Sequence, residues 1–133
     1  MLESILTILT EDDALRLLFG RPAKGKGTAL TWLYLRETTD LRDCMLYDYF
    51  TTGADGAVER GRMQLTIIAE TPALIRKVEL RVKQLLLKPD DRPLRGNRVL
   101  KCVQNGGGSL TDTDRNKIHQ YLYFDLVGRP QKG

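Results

Sequence analysis

Glycines beside aspartates, a lysine beside glycines, and a lone histidine are the residues of this chain whose types and spacing could do chemistry. In "KCVQNGGGSLTDTDRNK", residues 101–117, Gly106, Gly107 and Gly108 precede Asp112 and Asp114, an order that could cradle a phosphate or hold a cation. A calcium loop opening at Asp112 needs glycine at its sixth position and glutamate at its twelfth. Those positions hold Lys117 and Tyr123, and "NGGGS" is not followed by a lysine placed to reach a phosphate. In "GRPAKGKGT", residues 20–28, Gly20, Gly25 and Lys26 follow the order of a Walker A loop, but Gly27 stands where Ser or Thr would hold magnesium. "YLYFD", ending at Asp125, could pose as the acidic half of such a site. A phosphate loop must follow a strand and open a helix, so that the helix N-terminus meets the phosphates. Here the local pattern is the reverse, and 20–28 reads as a flexible basic connector.

His119 is the single histidine, which excludes a multi-histidine zinc site, and Cys44 and Cys102 stand outside any C-x-x-C spacing. A thiolate–imidazole pair would need one of those cysteines beside His119. Strand alternation groups His119 with Tyr121 and Tyr123 rather than with Ile118, Leu122 and Phe124, which counts against that pairing. The acid pairs Asp12/Asp13 and Asp90/Asp91 suit a helix start and a loop better than a glycosidase site. The sequence therefore implies no catalytic group, no metal and no cofactor.

At 133 residues the chain is about one domain long. Its 41% hydrophobic and 29% charged residues, spread along the whole length, imply a folded globular protein rather than a disordered one. No apolar run approaches the roughly 20 residues of a membrane span, and "MLESILTILTEDD" lacks a basic segment and a small-residue cleavage site, so the expectation is a soluble, unexported protein. Both cysteines sit among apolar neighbours and are expected as buried thiols, a disulfide being the alternative. The net charge of +4 is modest and its basic residues are interspersed with acids, which argues against a concentrated nucleic-acid face.

The elements that must position these residues follow from periodicity. Leu2, Ile5, Leu6 and Leu9 lie on one helical face. "TEDDALRLLFG" predicts a second short helix capped by Thr10 with Asp13 and stopped by Gly20. Residues 28–39, "TALTWLYLRETT", read as a strand. "DCMLYDYFTT" and "AVERGRMQLTIIAE" read as a hairpin turning at Asp55-Gly56, the residue pair favoured in two-residue turns. That turn places Phe50 opposite Gly61, Leu46 opposite Leu65 and Cys44 opposite Ile67. One face then carries Cys44, Leu46, Phe50, Met63, Leu65 and Ile67, with Asp48 unexplained among them. The other carries Met45, Tyr47, Tyr49, Arg60, Arg62, Gln64 and Thr66. "TPALIRKVELRVKQLLLK" predicts the longest helix, with Thr71 as N-cap, Pro72 at its first position and a stripe of Leu74, Val78, Val82 and Leu85. Two closing strands, "RVLKCVQ" and "IHQYLYFDLVG", flank a mobile loop over 105–117. The whole, residues 1–133, is expected as one α+β domain of order ααβββαββ, a mainly antiparallel sheet packed on one long helix with two short N-terminal helices.

This order, with "LRLLFGRP", "GRMQLTIIAETPALIRKVELRVKQLL" and the closing "HQYLYFDLVGR", resembles the tail-completion and tail-terminator proteins of long-tailed bacteriophages over nearly the full length. One departure is Pro22 after Gly20-Arg21, where many relatives place an aromatic or aliphatic residue; it keeps the head-completion and connector proteins of the neck as an alternative. The resemblance implies a structural virion protein made in the host cytoplasm and located at the neck end of the tail. There it would form a ring with itself, a hexamer, ending polymerisation of the tail-tube protein and offering a surface to the head-tail connector protein. DNA would pass through that ring without sequence-specific binding, and no membrane would be involved. Tyr47, Tyr49, Arg60 and Arg62 are residue types that dominate interfaces and are expected to form one. Gly106, Gly107, Gly108, Asp112, Asp114 and Arg115 are expected in the loop that orders on docking. A small nucleic-acid-binding module, using Arg60, Arg62 and the Lys88 to Lys101 segment with stacked tyrosines, is the other class the sequence allows.

Overall fold

Thr71 and Pro72 start the longest helix by complementary means. The Thr71 hydroxyl accepts from the Leu74 amide at 3.3 Å, and Pro72 fills the first helical position, where its missing N–H leaves nothing unpaired. The computed structural model describes residues 2–20, 32–36, 42–55, 58–87 and 99–129. Their elements are α1 (Leu2–Thr10), α2 (Asp13–Leu18), β1 (Leu33–Leu35), β2 (Cys44–Asp55), β3 (Val58–Ala69), α3 (Pro72–Leu86), β4 (Val99–Asp112) and β5 (Lys117–Gly128). The order is the expected ααβββαββ. The Walker-like segment beyond Gly20, Asp90/Asp91, Lys88 and the outer parts of the strand expected over 28–39 lie outside the described residues.

The strands form a single sheet in the order β1-β2-β3-β5-β4, antiparallel throughout except that β1 runs parallel to β2. The fold is α+β as expected, but the sheet dominates it, and its cover is shared among three helices. Helix α3 lies on β3 and β5, with α1 and α2 packed against α3. The buried stripe of α3 is Ile75, Val78, Val82 and Leu86; Leu74 and Leu85, expected in the stripe, flank it half-buried. Ile5, Leu9 and Leu15 from α1 and α2 join Met63, Leu65, Ile67, Leu122, Phe124 and Leu126 from the sheet in one core. Phe19 and Trp32 stack with ring centroids 5.1 Å apart, tying the end of α2 to the start of β1.

Helix α2 is capped by Asp12, not by Thr10. Asp12 Oδ2 accepts from the Leu15 amide at 3.0 Å, while the Thr10 hydroxyl donates back to the Leu6 carbonyl at 2.8 Å and stays in α1. Asp12 also receives two hydrogen bonds from Arg81 of α3, at 3.0 Å to Oδ2 and 2.6 Å to Oδ1. That bidentate pair makes a helix cap into a helix–helix tie. Gly20 ends α2 as expected, at φ +70°, where a side chain would be strained.

The β2–β3 register departs from expectation by one residue. Near the turn Asp55 pairs with Val58, and an irregularity between Thr51 and Gly53 then resets the ladder, so that Tyr49 pairs with Met63, Tyr47 with Leu65 and Met45 with Ile67. A shift of one residue turns every side chain of a strand to the other face. The β3 half of the expected core face therefore stands and the β2 half is inverted. Tyr47 and Tyr49 pack against the core, whereas Phe50 is 53% exposed on the opposite face. The expected Phe50–Gly61 pairing is corrected accordingly, since Phe50 lies opposite Arg62 and Gly61 is covered by Tyr49. Asp48, unexplained on a core face, belongs to the open face and pairs with Arg36 at 3.1 Å.

Candidate assembly surface

The residues expected to form one interface are divided by the sheet. Tyr47 and Tyr49 face the helices, and the Tyr49 hydroxyl donates to Glu59 Oε2 at 2.8 Å. Arg60 and Arg62 occupy the opposite, open face, in register with Val127 and Asp125 of β5. Arg62 Nε meets Asp125 Oδ1 at 3.1 Å, and Asn105 Nδ2 donates to Asp125 Oδ2 at 2.8 Å. Arg62 is thus paired within the subunit while its side chain stays partly exposed on that face. No described helix covers this face.

The expected loop over 105–117 is corrected by β4 and β5, which form a long hairpin joined only by the turn at 113–116. The three glycines are part of β4. An irregularity between Gln104 and Gly107 is accommodated by Gly106 at φ +97°, and a Cβ on Gly107 would lie 2.7 Å from the Tyr121 carbonyl oxygen. These positions need glycine for conformation and for close backbone approach. Asp112 organises the turn by accepting from the Asp114 and Arg115 amides at 3.2 and 3.3 Å, and Asn116 completes it at φ 56°. Asp112, Asp114 and Arg115 therefore build a hairpin tip. His119 Nε2 is buried without a hydrogen bond, 3.7 Å from Asp112 Oδ2.

Cys102 pairs in register with Leu126 on the core side, and His119 lies on the open face, so the strands separate that thiol and imidazole. Burial, with Asp125 adding to it, pushes the Cys102 thiol up to about 12. Ile68 stands in register between Cys44 and His119. Neither cysteine forms a disulfide; Cys44 is buried and Cys102 half-buried.

Sequence reading missed Lys117. It is a buried lysine at the base of β5, and its ammonium meets Asp43 Oδ1 at 2.6 Å and Glu70 Oε1 at 3.2 Å. Burial opposes its charge, but the two carboxylates outweigh burial and hold it above the usual lysine value. The three residues pin together the entry to β2, the exit of β3 and the start of β5. A lysine beside a turn carries no burial signal in sequence, because its neighbours here come from distant segments.

A groove of about 400 Å³ lies between the first turns of α3 and the outer half of the hairpin, lined by Pro72, Ile75, Glu79, Ser109, Thr111 and Ile118 among others. The described surfaces thus comprise a half-polar sheet face, a mixed groove and a long edge strand.

No protein-family model matches the chain, and no curated protein matches it. Among solved structures it is similar to a chain in the virion of a native gene transfer agent particle, with a TM-score of 0.65 and 13% identity. The match covers 95% of this chain and 92% of that one, so the two share a fold over nearly their whole length.

Proposed function

We propose that this chain is a structural protein of a phage-like particle, acting as a ring that caps the head-proximal end of a tail tube and presents a surface for joining to the head. The observation that carries this reading is the shared fold, along 95% of the chain, with a protein of a gene transfer agent virion. The element order and the resemblance to tail-terminator proteins agree with it.

In mechanical terms, a terminator must add to the growing end of a tube without offering another copy of the tube's own addition surface. A closed ring meets that need, because one heterologous contact repeated around an axis uses up both of its halves. The test is to disrupt the gene in the element that encodes it and image the lysate by electron microscopy. The expected result is tails of uncontrolled length and unattached heads. Heads without tubes joined to a normal neck would favour the head-completion role, and normal tails joined to heads would overturn the proposal.

A further inference from the structure

We infer that β4 is the receiving edge for an extended segment of a second protein, which adds as a further strand beside Gly107–Thr111 and sends an apolar and an acidic side chain into the groove beside α3. Strand β4 is outermost in the sheet, and beyond its irregularity Gly107 to Thr111 pair in unbroken register with β5 on the inner side. The outward N–H and C=O groups of that stretch meet no described strand. From Cys102 to Thr111, β4 carries neither a charged residue nor a proline, the usual guards of an edge that stays single.

The groove lies on the same rows as this edge. Ser109 pairs with Gln120 and Thr111 with Ile118, and all four stand on the helix side of the sheet, where they line the groove. Its opposite wall is the first half of α3, from Pro72 to Glu79. Ser109 and Thr111 are exposed although they face the helix side, and Ile118 is only half-buried, because α3 packs on β3 and β5 and leaves β4 beyond its cover. A strand added to β4 points every second side chain to this side, about 7 Å apart. Those side chains fall on the rows of Ser109 and Thr111, at the open side of the groove.

The lining decides what enters. Pro72, Ile75 and Ile118 receive an apolar side chain. Glu79 is already paired with Lys83 at 3.1 Å, so the charge offered to an entering group is that of the exposed Arg76, which suits a carboxylate. A second copy of β4 fits poorly. Paired antiparallel about Ser109, it would bring only Gly107, Ser109 and Thr111 to the helix side and leave the groove unfilled. Five residues of strand, about 17 Å long, are also too short a contact for the roughly 1,200 Å² that a stable interface between folded proteins buries. An extended segment instead gains main-chain hydrogen bonds from the edge and selectivity from the groove.

Titration of the isotope-labelled full chain tests this. The capped peptides Gly-Thr-Leu-Thr-Glu-Thr-Gly and Gly-Thr-Glu-Thr-Leu-Thr-Gly cover both strand directions. At least one should bind, with amide shifts at Gly107–Thr111, at the facing residues of β5 and in the first two turns of α3. N-methylation of that peptide at one alternate set of amides should abolish the shifts, and at the other set should leave the affinity within about twofold, because only one set faces the edge. Arg76→Glu should weaken binding about tenfold, and a peptide with lysine in place of its glutamate should restore it. Ser109→Trp, at an exposed position, should melt as the parent does but lose the peptide. The inference is overturned if neither peptide binds at millimolar concentration, if both N-methylated sets bind equally, or if the shifts fall on the open face around Val103 and Phe50. Shifts at Gly107–Thr111 that grow with protein concentration in the absence of peptide would show a second copy on the edge and overturn it too. The ring reading stands or falls separately, on tail length.

Discussion

Gly61 sits under the Tyr49 ring, so Gly61→Val tests the β2–β3 register directly. A Cβ at Gly61 would fall 2.6 Å from the Tyr49 ring carbons Cε2 and Cζ, far inside ordinary contact distance. Because Gly61 is buried and Tyr49 packs on the core, the valine fits only if the ring swings away. That movement breaks the 2.8 Å hydrogen bond from the Tyr49 hydroxyl to Glu59. Overpacking of this kind costs about 1–3 kcal/mol. A lost hydrogen bond to a charged group adds about 1.5–3 kcal/mol, reduced here because Glu59 can turn to water. The expected total is about 3 kcal/mol, seen as a fall of roughly 8–15 °C in melting temperature. Tyr49→Ala should remove the obstacle, so the double variant should be more stable than the two single losses predict. Phe50→Ala, on the open face, should cost under about 1 kcal/mol. An unchanged melting curve for Gly61→Val, or a Phe50→Ala loss larger than that of Tyr49→Ala, would refute this register.

Three further outcomes follow from the charged and ionisable groups. The Arg81 hydrogen bonds, opposed by burial, hold Asp12 below its ordinary value, so its contribution is present above the unfolded carboxylate value and lost as pH falls through the folded one. Asp12→Asn should therefore be less stable than the parent by about 1–2 kcal/mol at neutral pH, with the gap closing in acid; a pH-independent gap would count against the pair. Lys117, raised in the folded state, stabilises fully below the unfolded lysine value and stops doing so as pH rises through its folded value. Lys117→Met should cost about 2 kcal/mol at neutral pH in urea unfolding, the difference shrinking only in strong alkali; equal stability at neutral pH would sink the clamp. With its thiol pushed up to about 12, Cys102 should resist iodoacetamide in the folded chain at pH 8 and react when the chain is unfolded, and comparable rates in both states would contradict its burial.

Helices and element order were legible because their signals are local. Thr71-Pro72 marks a helix start by chemistry contained in two residues, and Gly20 marks a stop by a backbone conformation few other residues adopt. Asp12 was misread because Thr10 and Asp12 are both capping types; Arg81, sixty-nine residues away, adds a reason for the second that no local pattern contains. The long hairpin was misread for a related reason. "NGGGS" has the composition of a loop, and its strand conformation comes from the β5 backbone beside it.

The candidate surface was less legible, and the reason is topological. A face can be read from alternation, but alternation is worth no more than the register that joins two strands. The irregularity at Thr51–Gly53 was enough to move Tyr47 and Tyr49 from an expected interface to the core. An edge cannot be read from alternation at all, because being an edge depends on which strands find partners. β4 became outermost because β5, the last strand in sequence, inserted between it and β3. Once that order is known, the uncharged run from Cys102 to Thr111 changes meaning. In a central strand it would reflect burial, whereas on an exposed edge it leaves main-chain groups open to pairing with another strand.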